Sequence, residues 1–437
     1  MTSTFCVRSH LRAVLTSFLA LLALVATSAT VDAATITVNS FNQIAPGQCT
    51  IATAIASMNA AADQVGCTHS GTYGTSDTIT LAAGTYASTV ADNGNNAYPI
   101  INVALIINGN GATLSRTVGG VAPFFRFFDV NGGGLTLNNT TLTGGNNGGA
   151  GGGAIFVNVG PLTVIGSTFS GNSANGGNGG AIYHNSIQAV SISNSTFSNN
   201  TALPSGDGGA VYDNSTNGMT LNSTTFTGNT AIDGGAVYDN STSGLAVTNG
   251  TFTGNTSPGG NGGAIYDNST GGLVFTGGSV TGNNVNPNGD GGGVYDNSTG
   301  GIRISNVSFS GNTTTSGNGG AIFDNSTVAT GPVVNNCFVG NAAVLGGGIF
   351  RSGAPALNAI NSWWGAASGP SGTGPGTGDS VGTNVTFAPF LISPPGACAS
   401  GPPPAAITPV PTLSEWALWT MSLLLLAGGI WPMRRRR

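Results

Sequence analysis

Five aspartates recur at nearly even spacing, each after an aromatic ring and before an asparagine: Tyr212-Asp213-Asn214, Tyr238-Asp239-Asn240, Tyr266-Asp267-Asn268, Tyr295-Asp296-Asn297 and Phe323-Asp324-Asn325. Tyr183-His184-Asn185 and Phe156-Val157-Asn158 hold the same position in earlier copies. Flat rings beside polar groups suit stacking on a pyranose and bonding to its hydroxyls. Tyr183, Tyr212, Asp213, Tyr238, Asp239, Tyr266, Asp267, Tyr295, Asp296 and Asp324 therefore form a candidate ligand-binding ladder. The competing reading is a solvent-facing column that only stabilises its own sheet.

Catalysis is less well supplied. Glycoside hydrolysis needs carboxylates at set separation, which a repeated column can provide. Yet each of these aspartates obeys the repeat, whereas catalytic residues normally break one, so no catalytic residue is assigned. A cation between stacked aspartates is a weaker alternative. No zinc spacing, phosphate loop or calcium-binding nonapeptide occurs, and neither metal nor cofactor is expected. His184 reads as a substitution tolerated in one copy. Gly378-Asp379-Ser380-Val381-Gly382 has the spelling of a nucleophile elbow, but its Gly/Pro-rich surroundings predict neither a strand before it nor a helix after it.

What must position the ladder is the array that contains it. Glycine pairs begin at Gly152, Gly179, Gly208, Gly234, Gly262, Gly291, Gly319 and Gly346, spaced by 26 to 29 residues. Phe169, Phe197, Phe226, Phe252, Val280, Phe309 and Phe338 follow 17 to 19 residues later, and an Asn lies three further on each time. Fixed self-similarity at this period marks a solenoid. Short runs such as Met219-Thr220-Leu221 and Ile302-Arg303-Ile304 alternate with period two and end in Asn/Gly turns, which is the strand signal. Several short strands per repeat, with no room for a crossover helix, leave a parallel β-helix. Rungs about 4.8 Å apart then stack equivalent residues, giving an interior Phe column and an Asn amide ladder. If the neighbouring Ile or Val points inward, alternation sends the tyrosine rings outward.

Composition narrows the partners. Only 6% of the 437 residues are charged, lysine is absent, and ten Lys+Arg face fifteen Asp+Glu. Most of the arginines sit at the chain ends, so the array is acidic and has no basic face for nucleic acid. Disorder is the simple reading of 73 glycines, but a disordered chain has no reason to repeat Phe every 28 residues or so.

These motifs carry resemblances. Gly-Gly-Ala-Ile followed by Phe-x-x-Asn resembles the repeat of polymorphic outer-membrane proteins and of bacterial right-handed parallel β-helix repeat proteins, a fold that hosts adhesins, lyases and hydrolases alike. Cys49 to Ile55, Cys67, Asp77 to Leu81 and Gly84-Thr85-Tyr86 resemble the CSLREA domain that opens many β-helix proteins, with Ala in place of its Arg-Glu. That likeness implies a short helix after Cys49 and a bridge from Cys49 to Cys67. Asn361-Ser362-Trp363-Trp364-Gly365 with Gly369-Pro370 resembles the closing rung of such proteins, with Trp plugging the core. Cys337 and Cys398 are left as a second candidate pair. Pro411, Thr412, Leu413, Ser414, Glu415 and Trp416, then an apolar run and Arg434 to Arg437, resemble the IPTL-CTERM sorting signal. The family implies an exosortase-type membrane enzyme in a Gram-negative bacterium as partner; a plain tail anchor is the alternative.

The expected organisation is a signal peptide at 1–33, a CSLREA-like cap and first rungs at 34–125, and β-helix repeats with a closing Trp-Trp rung at 126–392. A Pro-rich linker at 393–411 and a sorting signal with a transmembrane helix at 412–437 follow. The fold class is all-β, a right-handed single-stranded parallel β-helix of about eleven rungs. The expected role is a cell-surface or secreted, adhesin-like protein that binds a polysaccharide or another surface protein, exported through the inner membrane. A polysaccharide-active lyase or hydrolase on the same fold is the alternative.

Overall fold

The computed structural model describes residues 32–74, 76–117, 123–328 and 331–398; the expected leader and the C-terminal signal lie outside them. Successive repeats coil into a β-solenoid whose strands pair in parallel with the same strand one repeat later. A repeat such as that beginning at Gly208 runs Val211–Asp213, Met219–Asn222 and Thr225–Thr227. The first strand joins an eleven-stranded sheet, hereafter the tyrosine sheet, and the other two are the legs of a wide eighteen-stranded sheet. Thr256–Ser257, Asn284–Val285 and Thr313–Thr314 form a short third sheet.

Register is what makes a column. Phe169, Phe197, Phe226 and Phe252 pair directly across neighbouring rungs. Their rings stack at 4.7, 5.0 and 4.8 Å with interplanar angles of 3°, 12° and 6°, all fully buried. Val280 takes the next place in the column, and Phe275 from the other leg meets Phe252 edge-on at 5.8 Å, filling the volume the smaller side chain leaves.

The corner between the tyrosine sheet and its predecessor rung explains the glycine pair. Gly234 has φ +59° and a Cβ there would lie 2.3 Å from the Val237 carbonyl oxygen. At Gly235 the added carbon would lie 2.2 Å from the carbonyl oxygen of Gly263 on the next rung. Only glycine permits both the left-handed turn and the close approach.

Beside the Phe column, every Asn three residues on is buried and bonded forward. Asn200 donates its backbone N–H and its Nδ2 to Asn229 Oδ1 at 3.0 and 2.9 Å, and Asn229 does the same to Asn255 at 2.9 and 2.9 Å. The ladder runs from Asn172 to Asn341 and ends on Asp379, whose Oδ2 receives Asn341 N and Nδ2 at 2.9 and 2.7 Å. Gly378–Val381, read from sequence as irregular, is a strand whose aspartate closes this ladder. Ser380 Oγ accepts from Gly347 N, which makes it a structural acceptor.

Both ends of the core are covered. The helix Ile51–Ala60, with Thr50 and Thr53 forming a reciprocal cap, buries Ile51, Ala54, Ile55 and Met58 against the first rungs. Cys49 and Cys67 are disulfide-bonded on either side of it. At the other end Trp364 is fully buried and stacks on Phe338 at 4.7 Å, and Cys337 is bonded to Cys398.

Candidate functional site: the tyrosine sheet

Strand alternation over Val-Tyr-Asp places Val in, Tyr out and Asp in, in each of Val211–Asp213, Val237–Asp239 and Val294–Asp296. The tyrosines form the outward column. Tyr212, Tyr238, Tyr266 and Tyr295 stack at 4.9, 4.7 and 4.8 Å with interplanar angles of 12°, 10° and 30°, and Tyr295 continues onto Phe323 at 5.1 Å. Tyr183 meets Tyr212 edge-on at 5.2 Å. Phe156 lies before Tyr183, with the Arg126 guanidinium 4.9 Å from its ring centre. Each half-buried ring thus spends its faces on its neighbours and offers edge and hydroxyl to solvent. Burial pushes the tyrosine hydroxyls to higher pKa, Tyr212 to about 12, so they are neutral donors at any physiological pH.

The aspartates do not stand beside the rings. Asp213, Asp239, Asp267, Asp296 and Asp324 are fully buried, which removes them from the surface ladder expected from sequence. The same alternation that sends Tyr outward sends the next residue inward. Each carboxylate then turns the chain: Asp213 Oδ1 accepts Ser215 N at 3.1 Å, and Ser215 Oγ in turn accepts Gly218 N at 2.9 Å. The repeated Asp-Asn-Ser phrase is the spelling of that turn. His184 occupies the same inner column and its Nδ1 lies 3.1 Å from Asp213 Oδ1.

Two other polar columns flank the rings instead. The asparagine after each aspartate faces out, and Asn214, Asn240, Asn268, Asn297 and Asn325 each donate Nδ2 to the Oδ1 of the rung before at 2.8 Å. On the other side, the residue before each of the six inner glycine pairs reads Asn178, Asp207, Asp233, Asn261, Asp290, Asn318. Asn178 Oδ1 accepts Asp207 N at 3.0 Å, and Asn261 Oδ1 accepts Asp290 N at 2.8 Å, so this column is also laddered. Partial burial and the neighbouring Asp233 charge raise Asp207 to about 6; burial raises Asp233 and Asp290 as well. Their charges oppose ionisation of Tyr212, Tyr238 and Tyr295. Asp207, Asp233 and Asp290 were missed in the sequence reading, although the glycine-pair alignment holds them one residue upstream.

The composite face is therefore a stripe of ring edges and hydroxyls, with amides on one side and a mixed column of carboxylates and amides on the other. It extends evenly over rungs whose lengths differ by at most three residues. The sorting motif Pro411 to Trp416 lies outside the described residues. Among the described residues no helix is long and apolar enough to cross a membrane.

Together, the rung register and the stacked columns define a parallel β-helix repeat protein. Residues 166–185, 194–214, 223–240, 249–268 and 306–325 match the Chlamydia polymorphic membrane protein repeat, and residues 408–437 match the IPTL-CTERM motif. The chain is a parallel β-helix repeat protein with a C-terminal sorting signal, and its repeats are similar to those of the Chlamydia polymorphic membrane protein. No curated protein and no solved structure matches it.

Proposed function

We propose that this is a non-enzymatic, adhesin-like protein of the cell surface that engages a hydroxyl-rich polysaccharide along the outward stripe of the tyrosine sheet. Export and the action of an exosortase-type enzyme on the C-terminal signal deliver it there, a reading supported by the IPTL-CTERM match. The observation that carries the proposal is the evenness of the stripe. Tyrosine hydroxyls and amides repeat at the rung spacing of about 4.8 Å, with a column of mixed amides and carboxylates beside them and no long insertion, which suits a polymer lying along the axis better than a substrate in a cleft. Because the ring faces are taken, recognition runs through hydroxyls and ring edges.

One observation favours the enzyme alternative. Asp207 and Asp233 stand on adjacent rungs, with Asp233 N donating to Asp207 Oδ1 at 3.3 Å, and burial raises both carboxyls, Asp207 to about 6, as a general acid requires. Affinity electrophoresis through polysaccharide gels, followed by staining for polymer loss, separates the two. Retardation without clearing, lost in the Tyr238→Phe/Tyr266→Phe variant that keeps the stack, is the expected result. Clearing that disappears in Asp207→Asn overturns the non-enzymatic reading, and absence of retardation on every polymer overturns the glycan reading.

A further inference from the structure

We propose that the inner aspartate column is a proton-binding element, which holds the solenoid tight in acid and loosens it as the medium becomes neutral to alkaline. Parallel register aligns Asp213, Asp239, Asp267, Asp296 and Asp324 on five successive rungs, every one of them fully buried. Stacked about 4.8 Å apart in a dry interior, five ionised carboxylates repel one another strongly.

The column carries its own terminators. His184 meets Asp213 at one end, its Nε2 placed 3.3 Å from Gly160 O. At the other end Arg351, in register with Asp324, donates to Asp324 Oδ2 and to Ser326 Oγ, with its Nε on Pro355 O at 2.7 Å. Before His184 the column continues as Val157 and Val130. Groups packed against the carboxylates from their own turns are the serines 215, 241, 269, 298 and 326, all neutral. The outer side of the strands adds tyrosines and Asp207, Asp233 and Asp290, which bring no positive charge. Two cations at most therefore face five carboxylates, and the three between the ends are left without a counter-charge.

A second observation points to protons as what neutralises them. Asp267 Oδ2 and Asp296 Oδ2 are buried with no hydrogen-bond partner, although Asp213 and Asp239 place the same oxygen on a serine hydroxyl. A bare carboxylate oxygen in that position is costly; a carboxylic acid can donate along the column to the next rung. Burial first, then the charge of the neighbouring aspartate, raises Asp239 and Asp267 to about 7 and Asp296 well above the carboxylate range.

The sign follows directly. Unfolded aspartates lose their protons near pH 4, whereas Asp239 and Asp267 keep theirs to about 7 and Asp296 is held well above the carboxylate range, so across that interval the folded state binds more protons and stability falls as pH rises. Below pH 4 both states are protonated and the contribution is complete. The rungs concerned carry the outward tyrosines, so the spacing of that stripe becomes pH-dependent.

Denaturation midpoints followed by circular dichroism from pH 4 to 8, at fixed ionic strength with chelator present, test the proposal. Asp207, Asp233 and Asp290 shift in the same direction, so the deciding quantity is the difference made by Asp267→Asn, whose amide is a permanent analogue of the protonated acid. The variant should match the wild type at pH 4, exceed its midpoint at pH 7, and take up about one proton fewer on folding. Infrared spectra of the folded protein at pH 6 should contain a carboxylic-acid carbonyl band, absent from the unfolded chain and weaker in Asp267→Asn. A wild-type midpoint that rises from pH 4 to 7, an unchanged pH profile in a folded Asp267→Asn, or absence of the acid band at pH 6 overturns it. Loss of stability on chelation without an acid band would assign the neutralising role to a bound cation.

Discussion

Replacing Asn229 by alanine separates the buried amide ladder from the exposed one. Four side-chain bonds disappear: Oδ1 with Asn200 N and Nδ2 at 3.0 and 2.9 Å, and Nδ2 with Phe197 O and Asn255 Oδ1 at 3.0 and 2.9 Å. Asn255 Oδ1 keeps the backbone N–H of residue 229 at 2.9 Å, so the orphaned donors are Asn200 N and one hydrogen of Asn200 Nδ2. Asn200 is fully buried, which denies both groups water. At about 1–3 kcal/mol for each buried unsatisfied group, the substitution should cost about 4 kcal/mol. Asn268 in the outer ladder loses two bonds of 2.8 Å, but it is only half-buried and water replaces them, so Asn268→Ala should cost less than about 1 kcal/mol. Guanidinium denaturation of both variants, followed by circular dichroism, gives the comparison. Because a solenoid unfolds as neighbouring repeats, Asn229→Ala should also broaden or split the transition. Equal, small losses in the two variants would refute the claim that the inner ladder is a load shared through desolvated bonds.

Two further outcomes follow from the same columns. Phe226→Ala removes a fully buried ring stacked between Phe197 and Phe252 and should lower stability by about 3–5 kcal/mol, read from the denaturation midpoint. Asp379→Ala leaves Gly340 N, Asn341 N and Asn341 Nδ2 without their acceptor and should destabilise the closing rungs by about 2–5 kcal/mol; Asp379→Asn, which retains a side-chain acceptor, should cost less than half as much by the same assay.

Much of this architecture was legible because equivalent residues stack. The glycine pair, the Phe column and the Asn three residues later recur at positions where the next rung lies directly above, so geometric need appears as periodicity. The inner aspartates were misplaced for a physical reason: charged residues are rarely found fully buried, so alternation was followed as far as Tyr212 and stopped before Asp213. Two signals pointed the other way. A serine two residues after each aspartate spells a side-chain-capped turn, and the column begins with His184 and ends with Arg351, both side chains that can donate to a carboxylate. His184, read as a tolerated substitution, is an end of the column. The occupied ring faces could not be read from sequence at all, since stacking along the axis depends on the side-chain torsions each tyrosine adopts.

The two inner ladders end differently because their chemistry differs. Asparagine both donates and accepts, so an amide ladder extends by any number of rungs with every bond made. Here each Asn donates toward the following rung, from Asn172 to Asn200 and onward to Asn341. The last rung consequently needs an acceptor and no donor, and Asp379, an acceptor-only side chain when ionised, fills that place with three N–H groups. Aspartate lacks the donor, so a carboxylate column cannot propagate by itself. It requires a donor at each end and a proton in the middle, and Asp213 to Asp324 lie between His184 and Arg351. Lengthening the amide ladder is energetically neutral rung by rung, whereas each added aspartate adds one more charge to be neutralised. The wild-type array, with three uncompensated aspartates, should therefore gain from Asp→Asn replacement at neutral pH only at Asp239, Asp267 and Asp296. The same replacement at Asp213 or Asp324 strips buried His184 or Arg351 of its carboxylate partner and should destabilise.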